Sequence, residues 1–192
     1  MLGSNVGSAD DTGWTPFHEA VRTYRHDLVE LMINQGSDVR WPVETTAPYS
    51  VTSSVLPDPG EPLPIINALH IAAGIYRARD ETSKRVYPEI VRLLLENGMD
   101  SNAKAMHVGG LQNCRIWEDA SPLQILFRSW SCSWGAEYQP NFFAVVQLLI
   151  DYGVDVCDIA NGLTIWQIAK FEGYESLWDT LRKAKPVSTE AD

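Results

Sequence analysis

Residues 15–21 read TPFHEAV, and a similar segment returns three times: INALHIAA at 66–73, ASPLQILF at 120–127 and LTIWQIA at 163–169. In the first copy, Thr15 suits the position that caps a helix N-terminus. Pro16 suits the first helical residue, because the N–H that proline lacks would have no intrahelical partner there. Each copy is therefore predicted to begin a short helix.

A second shared segment follows each of the first three copies. It reads DLVELMINQGSDV from residue 27, EIVRLLLENGMDSN from residue 89 and AVVQLLIDYGVDV from residue 144. Its apolar residues recur at helical spacing, and a glycine ends each apolar run. Gly36, Gly98 and Gly153 are predicted to adopt the left-handed conformation that ends a helix, which glycine takes at little cost. Each unit is thus predicted to be a helix, a turn and a second helix.

This pattern resembles the ankyrin repeat, which has a T-P-L-H-x-A-like start and a V-x-x-L-L-x-x-G-A-D-V-N-like close. The resemblance extends over residues 10–184 and is strongest in the first unit. It implies an all-α fold, an ankyrin-type helix-turn-helix solenoid with long inserted loops. The expected single domain, 10–185, lies between tails at 1–9 and 186–192. Its units are expected at about 10–42, 63–103, 117–157 and 158–185, with inserted linkers at 43–62 and 104–119.

The second and third units depart from the spacing of the first. Gly36 lies 18 residues after His18, whereas Gly98 lies 28 residues after His70. The extra residues are expected to form loops between the two helices of a unit. Pro88 is accordingly predicted just ahead of the second helix of its unit, as is Pro140 in the third unit.

The histidine of the first copy raises the question of catalysis. His18 and His70 are instead predicted to stabilise their turns by hydrogen bonds, as the ankyrin resemblance implies. The third and fourth units carry Gln124 and Gln167 at this position, and glutamine also has one donor group and one acceptor. A metal ligand or a general base would not tolerate that replacement, so no catalytic residue and no metal ligand is predicted.

Composition and charge narrow the classes of function. The net charge is −10 with a pI near 4.8, which disfavours nucleic acids and anionic membrane surfaces as partners. The longest apolar run, FFAVVQLLI, is too short to cross a bilayer, and residues 1–10 do not resemble a secretory signal. Cys114, Cys132 and Cys157 have no paired spacing and are expected to be reduced thiols. An intracellular protein, cytoplasmic or nuclear, is predicted.

No nucleotide-binding, hydrolase or metalloprotease motif is present, so the chain is predicted not to be an enzyme and to need no cofactor. The ankyrin resemblance implies that a partner protein binds the hairpin tips and the concave face formed by the first helices. By position, the predicted partner-binding residues are Trp14, Arg22, Thr23, Ile66, Ile75, Arg128 and Leu163. Trp14 is the strongest candidate, since an exposed tryptophan favours an interface. Alternatively, the first linker covers Trp14 through Tyr49 or Trp41.

A different class of function stays open at this point. The inserted loops could roof the concave face and enclose an aromatic pocket, as in a small-molecule binder or an atypical enzyme. The predicted lining of such a pocket is Trp117, Trp130, Trp134 and His107. Each indole could equally fill a gap that the insertions create. The preferred prediction is therefore a non-enzymatic interaction module.

Overall fold

The computed structural model describes residues 8–10, 13–44, 65–74, 81–105, 119–130, 139–160, 162–171, 174 and 177–184. Helices account for most of these residues, which agrees with the predicted helical class. The helices are α1 (Pro16–Arg22), α2 (His26–Asn34), α3 (Ala68–Gly74), α4 (Glu81–Glu96), α5 (Pro122–Trp130), α6 (Gln139–Asp151), α7 (Ile165–Phe171) and α8 (Trp178–Ala184). The strands are β1 (Val43–Glu44), β2 (Ile65–Ile66), β3 (Ile159–Ala160) and β4 (Leu163–Thr164).

The helices form two rows. Contacts run from α1 to α3, α5 and α7 in order, and from α2 to α4, α6 and α8 in order. Helices α1, α3 and α7 also contact the next helix along the chain. One hydrophobic core runs between the rows from Phe17 to Leu181. Helix α3 lies between α1 and α5, and its residues from Ala68 to Ala73 are all buried.

The strands belong to two antiparallel hairpins. Strand β1 pairs with β2, with Val43 opposite Ile66, so the two ends of the first inserted linker lie together. Strand β3 pairs with β4, with Ala160 opposite Leu163. An isolated antiparallel bridge joins Ala105 and Ala120, at the two ends of the second linker. The linkers therefore leave and re-enter the helical rows at closed hairpin-like bases.

The start of α1 follows the sequence pattern. The Thr15 side chain accepts a hydrogen bond from the backbone N–H of His18, and the His18 ring accepts one from the backbone N–H of Thr15. This reciprocal capping box satisfies two backbone donors at the helix N-terminus, with Pro16 as the first helical residue.

The three predicted glycine stops are confirmed. Gly36, Gly98 and Gly153 have φ values of +83°, +84° and +79°. In each case the glycine N–H bonds to the carbonyl three residues back, and the next N–H bonds to the carbonyl five residues back. This is the Schellman pattern, which satisfies the last carbonyls of a helix.

The prediction for Pro88 is wrong, because α4 begins at Glu81 and Pro88 lies inside it. Part of the second unit's insertion is therefore helical rather than looped. Proline has no N–H to donate to Lys84, so the helix lacks that one backbone bond. Pro140 also lies inside its helix rather than ahead of it, but as the second residue of α6, where a missing N–H costs nothing.

Candidate partner-binding surface

The His18 side chain makes defined hydrogen bonds through both ring nitrogens. Nδ1 lies 3.2 Å from the backbone nitrogen of Thr15 and 2.8 Å from its hydroxyl oxygen. Nε2 lies 3.2 Å from the carbonyl oxygen of Trp41, in the loop that follows α2. A backbone N–H can only donate and a carbonyl can only accept, so the neutral tautomer with hydrogen on Nε2 satisfies both partners.

The second and third units repeat this arrangement. His70 accepts from the backbone N–H of Asn67 at 3.1 Å, and its Nε2 lies 2.9 Å from the carbonyl oxygen of Ala103. Gln124 accepts from the N–H of Ser121 at 2.8 Å and donates to the carbonyl of Asp158 at 3.1 Å. We call these side chains the braces, since each ties a helix start to the following loop.

In the two histidine braces, both ring nitrogens lie within hydrogen-bond distance of backbone groups. Both histidines are buried, and burial lowers the pKa of His18 and of His70 to about 4. Gln124 makes the same pair of bonds with a group that does not titrate. The prediction that histidine stabilises the turn by hydrogen bonds is therefore confirmed.

The loops after α2, α4 and α6 contact one another through side chains. The Arg40 guanidinium donates to the carbonyl of Gly98 at 3.2 Å. Asn102 donates to the carbonyl of Gly153 at 2.9 Å, and its amide oxygen accepts from the backbone N–H of Asp155 at 2.6 Å. Lys104 forms an ion pair with Asp158. These bonds fix neighbouring loops side by side.

Each of the three loops also carries an exposed aspartate at the same position. Asp38, Asp100 and Asp155 lie two residues after the stop glycines. One carboxylate oxygen of each accepts the backbone N–H two residues on, at 2.8–2.9 Å. This Asx turn shapes each loop, and the three aspartates remain exposed.

The exposure of Trp14 is intermediate between the two alternatives that the sequence allowed, an exposed tip and a covered side chain. It is half-buried, packs against the core, and its ring centroid lies 5.6 Å from that of His18. Trp41 is itself 47% exposed, although its backbone carbonyl accepts the hydrogen bond from His18 Nε2. Tyr49 lies outside the described residues. Trp14 thus keeps part of its surface accessible.

Arg22 and Thr23 lie at the C-terminal end of α1. Arg22 forms a two-pronged ion pair with Glu19. The Arg22 guanidinium lowers the pKa of Glu19, and a hydrogen bond from Trp14 lowers it by a smaller amount. The Thr23 hydroxyl donates to the carbonyl of Glu19 at 2.7 Å, and Thr23 is exposed. These contacts hold a polar, partly exposed strip on the first helix.

The remaining predicted residues differ in position. Leu163 is half-buried in β4. Ile66 is 2% exposed, because its pairing with Val43 turns it into the core, so it adds nothing to an accessible surface. Arg128 and Trp130 lie in α5, but their side chains are outside the described part of the structure. Ile75, His107, Trp117 and Trp134 also lie outside the described residues.

Two exposed apolar residues complete the hairpin side of the molecule. Ile159 in β3 is 59% exposed, and Trp41 stands two residues before β1. The sequence analysis considered Trp41 only as a cover for Trp14 and did not single out Ile159. Their position in the sequence could have identified both residues, because each follows a Gly-x-Asp segment and lies in or just before the first strand of a hairpin. We call Trp14, Trp41, Ile159 and Leu163 the hairpin edge.

A surface depression lies at the last unit. It has a volume of about 380 Å³ and is lined by Cys157, Thr164, Trp166 and Arg182. Cys157 is a half-buried free thiol. Among the described residues, no group of three His, Cys, Asp or Glu side chains is placed to hold a metal ion. In the same part of the chain, no helix has the length and apolar content needed to span a membrane.

Comparison with known protein families finds a match to part of the chain. Residues 12–41 match the family model for the Ankyrin repeat. The matched range contains the capping box, the His18 brace and the Gly36 stop. Comparison with curated proteins finds no significant relative of the chain.

Proposed function

We propose that this chain, which carries an ankyrin repeat at residues 12–41, is a non-enzymatic protein–protein interaction module built as a solenoid of four ankyrin-type units. Support for the solenoid comes from features that repeat beyond the matched range. The stop glycine recurs at Gly98 and Gly153, and the brace recurs at His70 and Gln124. The two ordered rows of helices agree with units that stack on their neighbours.

The observation that carries the binding proposal is the exposure of two large apolar side chains on the hairpin edge. Trp41, two residues before β1, is 47% exposed, and Ile159 in β3 is 59% exposed. Large apolar side chains that stand out from an otherwise polar surface are typical anchors of protein interfaces. Their backbones are fixed by the His18 brace and by the β3–β4 pairing, so little entropy is lost when a partner covers them.

The charges near the hairpin edge indicate the chemistry of the partner. Asp38, Asp100 and Asp155 are exposed on the loops that lead into the hairpins, and the whole chain carries a net charge of −10. The proposed partner segment is therefore basic and contains aliphatic or aromatic side chains that cover Trp41 and Ile159. Opposite charge would speed its association and orient it along the row of loops.

The proposed surface extends from the hairpin edge onto the first row of helices. Arg22 and Thr23 contribute there, and Arg128 and Ile75 hold the corresponding sequence positions in later units. Ile66 is left out because it is buried. The acidic charge supports neither nucleic acid nor anionic membrane as the partner, and an intracellular location is proposed with the module.

Quantitative affinity capture from extract of the source cell tests this function. The wild-type chain is compared with a Trp41→Ala/Ile159→Ala variant and with a Leu31→Ala control. Leu31 is similarly exposed, at 53%, but lies on α2 in the other row. We expect specific proteins to be lost with the double variant and kept with the control, while thermal melting changes little. An identical set of captured proteins for all three chains would refute the hairpin edge as the binding surface.

A further inference from the structure

The end of α4 carries an Asn-Gly pair. Asn97 stands directly before the stop glycine Gly98, whereas Gln35 and Tyr152 hold this position in the first and third units. Asn-Gly is the sequence in which asparagine loses its side-chain amide most readily, because glycine has no side chain to hinder attack by its backbone nitrogen. Asn97 and Gly98 are both exposed. The second unit therefore carries a candidate for covalent modification that the other two helix ends lack.

The modification would be deamidation, which needs only water as a reactant. The backbone nitrogen of Gly98 attacks Cγ of Asn97, and the new carbon–nitrogen bond closes a cyclic succinimide. The side-chain nitrogen of Asn97 leaves as ammonia and takes the proton of the Gly98 N–H. Water then opens the ring. Hydrolysis at the side-chain carbonyl gives aspartate, and hydrolysis at the backbone carbonyl gives isoaspartate, in which the chain runs through the former side chain.

The folded end of α4 holds both reacting groups in hydrogen bonds. The Gly98 N–H donates to the carbonyl of Leu95 at 3.0 Å, and the Asn97 side-chain amide donates to the carbonyl of Leu93 at 2.8 Å. Ring closure requires both bonds to break, since the Gly98 nitrogen loses its proton and turns towards Cγ of Asn97. The reaction therefore proceeds from a locally opened state in which the last turn of α4 is released.

A side chain from the first unit holds this turn closed. Arg40 Nε donates to the carbonyl of Gly98 at 3.2 Å, and a Cβ built on Gly98 would lie 2.6 Å from Arg40 Nη2, so the guanidinium lies directly against this glycine. The backbone of Arg40 is itself fixed, because its N–H bonds to the side chain of Asp38 and the next carbonyl, that of Trp41, accepts from His18. Opening the Gly98 peptide therefore breaks the Arg40 bond as well as the bonds within α4.

We propose that Asn97 is a deamidation site whose rate is set by the contact of Arg40 with Gly98. The change runs one way, because ammonia is lost. It adds a negative charge to a chain whose net charge is already −10. Isoaspartate also lengthens the backbone by one atom just before the stop glycine, so the two Schellman bonds there lose their register and Arg40 loses its acceptor. The modification thus unlinks the first two loops.

Peptide mapping of the folded chain during incubation at mildly alkaline pH tests this proposal. The tryptic peptide 93–104 contains Asn97, and fragmentation distinguishes it from Asn102 in the same peptide. Arg40→Ala should raise the rate of deamidation at Asn97 about fivefold, because the loss of one ordinary hydrogen bond increases the opened population by about that factor. Asn97→Gln should abolish the reaction in this peptide.

Two controls separate local opening from a general loss of stability. Arg25→Ala removes another exposed arginine of the first unit, which pairs with Asp27, and it should leave the rate at Asn97 unchanged. The second Asn-Gly pair, at residues 161–162, lies in a different tryptic peptide, and its rate should not respond to Arg40→Ala.

Equal rates at Asn97 in the wild type and in Arg40→Ala, with unchanged circular dichroism, would overturn the proposal. So would a rate in the folded wild type as high as in the urea-unfolded chain, because the helix end would then give no protection. An Asn97 that converts only in urea, even in Arg40→Ala, would also overturn it. The capture experiment concerns the hairpin edge, so its outcome does not decide this one.

Discussion

The two histidine braces should make folding depend on pH in a predictable direction. Both are buried and neutral, with pKa values of about 4 in the folded chain against an ordinary value of 6.5. Between these values the unfolded chain binds protons that the folded chain does not bind. Folding stability is therefore complete above about pH 6.5 and falls as the pH drops towards 4.

The size of the effect follows from the two pKa values. Lowering the pH from about 7.5 to about 5 should cost about 2 kcal/mol per histidine, hence about 4 kcal/mol for His18 and His70 together. That is a large part of the 5–15 kcal/mol by which folded domains are usually stable. Carboxylates add little in this window, because their ordinary pKa values lie below it.

Urea unfolding at several pH values measures this dependence. The informative variant is His18→Gln/His70→Gln, because glutamine makes the same two hydrogen bonds at Gln124 and has no proton to gain. It should keep most of its stability at pH 7.5 and lose the decline of about 4 kcal/mol between pH 7.5 and 5. A His26→Gln control, at the start of α2, should retain the decline. An equal decline in the wild type and the double variant would refute the brace argument.

Three further substitutions test other parts of the fold by chemical denaturation. Gly36→Ala should lower the free energy of unfolding by about 1–2 kcal/mol because of its positive φ. Gly98→Ala should lower it by about 1 kcal/mol more, because the new Cβ would lie 2.6 Å from Nη2 of Arg40 and displace the Arg40 hydrogen bond. Equal losses for the two variants would contradict the Arg40 contact. Gln124→Leu should cost about 2–4 kcal/mol by leaving a buried N–H and a carbonyl unpaired, and Gln124→His should cost clearly less. Asn102→Ala should cost about 1 kcal/mol by removing two bonds to the next loop, and an unchanged unfolding midpoint would argue against that link.

Local rules explain why the first unit could be predicted well from the sequence. Its Thr-Pro start and its glycine stop each act through a few neighbouring backbone groups, and both appear in the structure as expected. The exchange of histidine for glutamine also indicated the function of the brace, because donor and acceptor chemistry can be read from residue type. The acceptor carbonyls could not be foreseen, since they lie 23 to 34 residues further along the chain.

Other features depend on tertiary packing and were harder to foresee. Pro88 lies inside α4 because the helix extends into the insertion, although proline usually marks a helix start. Ile66 has the sequence position of a surface residue, yet its pairing with Val43 buries it. Ile159 shows the reverse, since an isoleucine usually belongs to the core but here stands 59% exposed at the hairpin edge. In each case the neighbouring chain, rather than the local pattern, decides the exposure.

Hydrogen exchange on the chain alone and with a partner recovered by capture tests the central claim, that the hairpin edge is the binding surface. Binding should slow exchange in residues 38–44 and 155–164, which contain Trp41 and Ile159. Helices α2, α4 and α6, in the other row, should exchange as in the free chain. Slowing confined to those helices, with residues 38–44 and 155–164 unchanged, would contradict the account.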